Sequence, residues 1–430
     1  MFPDEVAVLV AGGGASGFMA AIVAAEAGVA GVHLLEATGE PLGKVRISGG
    51  GRCNVTHACW DPRSLVGHYP RGSKALRGPF ARFASGDAVA WFADHGLELV
   101  EEQDGRLFPR SNSSESVVAV LRQAARRAGV VLHTGVALQQ VSRREQGGFA
   151  CRLRLAAAAG AGAGVSSLSV GCRRLILATG AHPSGRQLAA GLGHRLIAPV
   201  PSLFSLALRG QPLQQLAGVA MDPVDLELRL DPDRVEQPRH RQSGALLITH
   251  RGLSGPALLR LTAFAARDLK ATAYTGELRV NWTGGQGPDA IAVLLDDLRQ
   301  QQARRQIGSW RPWPALSRRL WLHLLTEVGI DPLQRWAELR RDPQRRLVQA
   351  LTASGYRVAG RGPFGEEFVT AGGVDLGEIN LASMESRRCP GLQVVGELLD
   401  VDGITGGFNF QHCWTSGWLA GVALAAAEPI

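Results

Sequence analysis

VAVLVAGGGASGFMAAIVAAEAGVAGVHLLE, residues 6–36, decides the fold. Val6–Val10 is a short, wholly apolar run, the pattern of a strand buried on both faces of a parallel sheet. Glycines follow at once, and Phe18–Ala27, rich in Ala and Ile, suits a helix that Gly28 ends. Val32–Leu35 is a second apolar strand, closing on Glu36. Strand, glycine turn, helix, strand and acid make one βαβ unit of an α/β fold. Gly12, Gly14 and Gly17 stand at the GxGxxG spacing, directly after the strand and directly before the helix. Gly12 permits the tight turn, Gly14 lets the backbone approach a pyrophosphate, and Gly17 lets the helix pack closely. With Ala15 and Ser16 they open a helix whose amides and positive dipole end suit that pyrophosphate. Glu36 is placed to accept hydrogen bonds from ribose hydroxyls, and its charge disfavours a 2′-phosphate. The expectation is a bound dinucleotide, FAD or NAD before NADP.

A second glycine-rich stretch separates those two. Gly43–Lys44 and then Ser48, Gly51, Arg52, Cys53 and Asn54, written SGGGRCN over 48–54, follow shortly after Glu36. A simple NAD dehydrogenase needs no such segment there. The longer FAD does, because its pyrophosphate and ribityl chain extend past the first turn and need amides and a nearby cation. Lys44 or Arg52 could supply that charge; the plainer reading is a glycine loop packed against the sheet.

The 430 residues predict two or three domains. With 45% hydrophobic and 20% charged residues the chain reads as a globular enzyme. Six scattered cysteines without a CxxC pair suggest neither a zinc site nor a disulfide framework, so reduced thiols are expected. The acidic start Met1–Glu5 is unlike an export signal, and no apolar run has membrane-spanning length, so a soluble, cytoplasmic protein is expected. The net charge is +8, carried almost wholly by arginine. The densest basic stretch, RWAELRRDPQRR at 335–346, is interrupted by acids and reads as a solvated helix face before a nucleic-acid one.

Further along, Ser114–Ala128 has the pattern of an amphipathic helix. Val130–His133 and Ala137–Val141 read as a strand and its continuation, Phe149–Leu155 and Ser167–Val170 as a hairpin, and Arg174–Ala178 as a further strand. Between the hairpin arms, AAAAGAGAGVSS at 156–167 is a low-complexity loop. From about residue 197 the pattern turns to antiparallel β, with Pro199–Leu208, Val224–Leu230 and Ala245–Thr249. Helical candidates follow at Ile291–Arg299, Leu316–Leu325 and Leu333–Leu339, with β-like pieces around Gln349–Arg357. Leu392–Val395 is the last strand, and Ser416–Ala427 the final helix. The predicted architecture is α/β: a Rossmann-like domain split in sequence (1–196 and 369–430). An inserted β-barrel-like domain (197–287 and 347–368) separates its parts and itself carries a small helical domain (288–346).

GKVRISGGGRCNVT (43–56) resembles the signature of bacterial flavoproteins related to 3-dehydro-bile-acid Δ4,6-reductase, an aminoacetone-oxidase-like family of NAD(P)/FAD-dependent oxidoreductases. GRLFPRSNSSESVVAVL (105–121), LILATGAHP (175–183), LLITHRGLSGPALL (246–259) and the long stretch 370–424 follow in that family's order. The resemblance implies a two-part FAD domain interrupted by a barrel-like domain, and FAD held by specific positions. Gly12, Gly14 and Gly17 would hold the pyrophosphate, and Glu36 the adenosine ribose. Ser48–Asn54 would run beside the flavin, and the backbone of Val136 would meet adenine. Ala178–Thr179–Gly180 would pass near FAD, and Glu397 and Asp400 would bond ribityl or pyrophosphate-side groups. Gly407, Phe408 and Asn409 would bring amides and a helix N-terminus to the N1 edge, where charge gathers on reduction.

Two departures stand out. GAHPSGRQLAAG (180–191) is shorter than the family's counterpart and lacks its aromatic and Ser/Thr cluster, and His57 replaces the usual asparagine. Cys53 reads as a packed cysteine or a redox participant, and His412 and His250 as proton donors or structural histidines. The function expected is transfer of hydride through flavin N5 to or from a small organic substrate, an activated C=C bond by resemblance. NAD(P)H would be a transient donor, since no second GxGxxG has a βαβ context. An oxygen-using flavin oxidase and a flavin-bearing RNA-binding or RNA-modifying protein are the alternatives.

Overall fold

The computed structural model describes residues 2–156, 166–230, 240–362 and 369–426. The chain divides into two compact units, Met1–Pro199 with Val369–Ile430, and Val200–Phe368.

The first unit is built on the opening βαβ. Strand β1 (Glu5–Ala11), helix α1 (Ala15–Glu26) and strand β2 (Val32–Glu36) follow the glycine pattern, and β1 pairs in parallel with β2, Ala11 opposite Leu35. On the other side of β1 lies Ser166–Leu177, also parallel, with Ala11 opposite Leu177. Leu392–Val394 joins next to it, so a strand from the far end of the chain completes the sheet. The interior strands read as apolar runs because both of their faces are buried, Val8, Leu9 and Val10 being fully enclosed. In α1 every residue from Ala15 to Ala24 is buried.

The cause of that burial is the last helix. Phe408–Ala426 packs along α1 at backbone distance. A Cβ at Gly417 would come within 2.6 Å of the Ser16 carbonyl oxygen, and one at Gly421 within 2.7 Å of Val23 Cβ. Two glycines one helical turn apart thus let the two helices meet without intervening side chains.

Several sequence expectations are corrected here. Ser167–Val170 and Arg174–Ala178 are one unbroken strand, Ser166–Leu177. Its first half pairs antiparallel with Phe149–Leu155 and its second half in parallel with β1, so a change of burial pattern occurs without a change of element. The last helix begins at Phe408 and not Ser416, because Gly406 and Gly407, both at positive φ, turn the chain directly into it. Most of the loop expected at 156–167 lies outside the described residues.

In the second unit, six strands close a barrel in the order Leu206–Leu208, Gly252–Ser254, His240–Ile248, Ala220–Arg229, Gly276–Asn281 and Ser354–Arg361. The last pairs back with the first, Leu206 opposite Arg361. Helices Pro288–Gln301, Arg318–Glu327 and Arg341–Ala353 add the helical part, whose core holds the fully buried Trp321 and Trp336. Leu333–Leu339 is only a short 3-10 turn at Trp336–Glu338. The β-like run expected at Gln349 is still helix to Ala353, since Leu347 and Leu351 continue a buried helical stripe. Among the described residues, no helix is long and apolar enough to cross a membrane, and no group of acids, histidines and cysteines could hold a metal.

Candidate active site

The C-terminal end of β1 is where a doubly wound sheet receives a ligand. Gly12 sits there at φ +122°, where a Cβ would lie 2.3 Å from the Ala178 carbonyl oxygen. Gly17 is equally constrained, 1.9 Å from the Gly12 carbonyl oxygen. Gly14 differs: it caps α1 at φ −90°, and a Cβ there would meet nothing within 4 Å. Gly12 and Gly17 are therefore required by the protein itself, whereas Gly14 faces open space at the N-terminus of α1. Ala15 and Ser16, the first residues of that helix, are buried.

Glu36 ends β2 beside this turn. It accepts from the Gly13 amide at 3.1 Å and from the Thr38 amide and hydroxyl at 2.8 and 2.7 Å. Those bonds hold the carboxylate at the strand end and leave lone pairs for other donors. Thr38 in turn accepts at its carbonyl from the Gly135 amide at 2.8 Å, which brings Val136 to the same edge.

On the other flank, Ala178 donates to the Ala11 carbonyl at 2.9 Å. Thr179 follows, its hydroxyl buried without a partner. The shortened segment after it folds as helix Pro183–Gly191, capped by His182, and lays Gly185 directly on Thr179. Gly180 lies beside Glu397, where a Cβ would be 3.5 Å from Oε2. Glu397 pairs with Lys44 at 2.5 Å. Arg52, the other candidate cation, is turned elsewhere: it pairs with Glu102 at 2.7 Å and lies 4.0 Å over the Phe108 ring. Lys44 is thus the charge next to the Gly180 strand end. Asp400 is held through its backbone, its amide donating to the Val374 carbonyl at 3.0 Å.

The second glycine segment forms Gly43–Gly51, a helical turn broken at Ser48, Gly49 and Gly50, with Gly51 at positive φ. Cys53 follows at φ +60° and fully buried, and its amide closes the turn onto the Ser48 carbonyl at 3.0 Å. Burial pushes its thiol up to about 12, against a hydrogen bond from Ser48, so it stays protonated at neutral pH. Asn54 joins this segment to the C-terminal loop: its amide nitrogen donates to the Thr56 carbonyl and its oxygen accepts from the Gly407 amide, both at 2.9 Å. Asn409 clasps Gly403 in both directions at 2.9 Å. Phe408 is stacked by His68 at 4.2 Å and His57 at 4.7 Å. The departure His57 therefore sits against the loop of Gly406–Phe408, with burial lowering its pKa.

Residues of the last helix hold these two bands together, and of them the sequence had singled out only His412. Ser416 accepts from the Gly396 amide at 3.0 Å, and His412 Nε2 donates to the Gly396 carbonyl at 3.3 Å. Gln411 accepts from the Thr56 hydroxyl at 2.6 Å, and Trp414 donates to the Val55 carbonyl at 2.9 Å. Buried polar residues on an otherwise apolar final helix were the available signal. His412 is completely enclosed, its pKa driven down to about 4 by burial, and it is neutral at physiological pH. His250 is exposed in the second unit.

The fit to FAD can be judged on these atoms. Open space stands at the Gly14 cap, three side-chain atoms of Thr179, His57 and His412 are buried without partners, and glycine amides line the C-terminal loop. The open helix N-terminus suits a diphosphate, and the unpartnered polar atoms, the Thr179 hydroxyl and the acceptor nitrogen of neutral His412 among them, are available to a bound group. A recess of about 650 Å³ bordered by Glu5, Arg144, Cys151 and Gln187 lies at the opposite end of β1, away from the glycines.

The family described as HI0933-like protein Rossmann domain matches residues 6–423. The chain is 30% identical over 425 residues to the 3-dehydro-bile acid delta(4,6)-reductase of Clostridium scindens, covering 96% of this chain and 98% of that one. It is 28% identical to the ribosomal RNA dihydrouridine synthase of Escherichia coli, covering 98% of each. Among solved structures it is similar to 3-ketosteroid-delta4-(5alpha)-dehydrogenase from Rhodococcus jostii RHA1. That match has a TM-score of 0.49 at 16% identity, over 99% of this chain and 98% of the other. The chain belongs to the HI0933-like Rossmann family and is an FAD-dependent oxidoreductase.

Proposed function

We propose that this protein saturates a C=C bond conjugated to a carbonyl group. One observation carries the reading: the two relatives named above, a 3-dehydro-bile acid delta(4,6)-reductase and a ribosomal RNA dihydrouridine synthase, bear names of enzymes that saturate a double bond. When bound, FAD supplies the hydride. The chain's own residues would hold it: the Gly12–Gly17 turn and α1 at the pyrophosphate, Glu36 at the ribose and Val136 at adenine. Thr179, Gly180, Lys44 and Glu397 would lie along the linker, and Asn54, Gly407, Phe408 and Asn409 at the flavin edge. The protonated thiol of Cys53 and the neutral His412 keep that region free of charges that would compete with a reduced flavin. NADH or NADPH would be a transient donor.

For the substrate, a uracil base in RNA has the support of the net charge of +8 as well as of a relative's name. A base inside a duplex hides its 5,6-bond in the stack, so the substrate would be unpaired. The test is anaerobic. The purified protein, loaded with FAD and reduced, is mixed separately with RNA and with a steroidal dienone, and each product is weighed. Two hydrogen atoms gained by the RNA with reoxidation of the flavin support the reading; gain by the dienone alone assigns a small enone. No reoxidation by either, followed by reoxidation with peroxide formed once oxygen is admitted, would make the protein an oxidase and sink the proposal.

A further inference from the structure

We propose that the surface formed by Ala303–Arg319, in the second unit, is a docking platform for single-stranded RNA; this rests on the uracil reading above. Between Asp297 and Glu327 the sequence has no acid and six arginines: Arg299, Arg304, Arg305, Arg311, Arg318 and Arg319. All but Arg299 are exposed. Arg299 is neutralised by Asp296 at 3.2 Å. Among the described residues the other five form no ion pair. Three of them are instead fixed by groups that leave the charge uncompensated. Arg311 donates to the Leu316 carbonyl at 2.9 Å, and Arg319 donates to the carbonyls of Gln215 and Ala217. Arg305 lies 4.7 Å over the ring of Trp310, which is itself 36% exposed. Trp313 stands half-buried three residues on.

This combination has a specific chemistry. Guanidinium groups held in place without carboxylates are free to meet phosphates, and an exposed indole among them offers a face on which an unpaired base can stack. A duplex offers phosphates but no free base face, so the indole favours a single strand. The platform is stiff: Trp321, fully buried beneath it, donates to the Ile307 carbonyl at 3.0 Å, and Gln306 bridges to Arg335. Preorganisation of that kind lowers the entropy lost on binding. The basic run 335–346, more prominent in the sequence, is the weaker face. Arg345 faces Asp342 at 3.6 Å, Arg346 is turned to the Val328 carbonyl, and Glu338 interrupts the run.

The test measures binding of the FAD-loaded full chain to a labelled oligouridine of about 20 nucleotides by fluorescence anisotropy across a salt series. Trp310→Ala is expected to weaken binding by about tenfold with an unchanged salt slope. Arg304→Gln with Arg305→Gln is expected to lower the slope of log affinity against log salt by about 1.4, two contacts' worth on a single strand. Arg340→Gln with Arg345→Gln is expected to leave both unchanged. If wild type binds and the platform variants bind equally well, the platform is wrong while the RNA reading stands. If wild type binds no RNA at physiological salt, both fall.

Discussion

Lys44 Nζ and Glu397 Oε2 lie 2.5 Å apart, joining positions separated by 353 residues. Burial opposes the charge on Lys44, but the Coulomb attraction and hydrogen bond of Glu397 outweigh it and raise the lysine pKa. With a raised folded pKa, the pair's contribution is complete through neutral pH and is lost only as pH rises past the ordinary lysine value of 10.5. The pair closes a ring of segments around the Gly180 strand end.

Removing one partner therefore separates cofactor holding from folding. Glu397→Gln is expected to lower FAD retention through gel filtration about tenfold while shifting the apoprotein's stability by less than about 1 kcal/mol, since the lysine end is solvated. Full retention of FAD with a marked loss of apoprotein stability would make the pair structural only.

The three motif glycines are expected to split into two kinds. Gly12→Ala and Gly17→Ala drive a methyl group into backbone atoms and should each cost about 3 kcal/mol or more, read by denaturant unfolding of the apoprotein. Gly14→Glu fills only open space; the apoprotein should fold near wild-type stability yet purify without flavin. A Gly14→Glu protein that purified fully loaded with FAD would show that the cofactor lies elsewhere.

His412 predicts an acid limb. Its folded pKa of about 4 lies below the ordinary 6.5, so the unfolded chain binds the extra proton first as pH falls. Stability is then lost between about pH 6.5 and pH 4, by up to about 3 kcal/mol from this group. His133, also lowered to about 4 by burial and by neighbouring His33, acts in the same window. His412→Gln should therefore flatten the dependence of Tm on pH in that range without abolishing it. An unchanged slope would mean that the imidazole is reached by solvent.

Arg71 and Asp402 form a buried ion pair, and Asp402 is fully enclosed. Replacing the arginine removes the positive charge that faces a buried carboxylate. Arg71→Met is expected to destabilise the protein by about 3–5 kcal/mol, visible as a lowered midpoint in chemical unfolding. A loss below about 1 kcal/mol would place the carboxylate's stabilisation with its other neighbours.

Much of the first unit was legible because its signals are local. Val6–Glu36 carries strand, turn, helix and strand in order, and the glycines mark where side chains cannot be tolerated. The pairings of Lys44 with Glu397 and Asn54 with Gly407 were not legible, because contacts between distant positions leave no periodic trace. Ser166–Leu177 misled for a related reason: it serves two sheet environments in turn, and a change of neighbours resembles a break in the strand. The small sheet of Thr56–His57, Leu99–Glu101 and Arg106–Pro109 went unread because strands that short lack a period, although it carries His57. The basic charge was legible in amount but not in place. The run with the most arginines per residue is tempered by acids, and the longer acid-free stretch becomes visible as a surface only once Trp310 is seen beside Arg305.

The glycine seam between α1 and the last helix bears on how the chain matures. The face of α1 that holds Ser16 and Val23 is covered by Gly417 and Gly421, which are synthesised long after it. Until they emerge, the opening βαβ unit keeps an apolar helix face bare, and Leu392–Val394 has yet to join the sheet. The barrel is complete in sequence at Arg361, before either that strand or the last helix has been made. The opening βαβ unit of a nascent chain would therefore wait unfinished for segments made long after it, and that interval is when it most needs protection from aggregation.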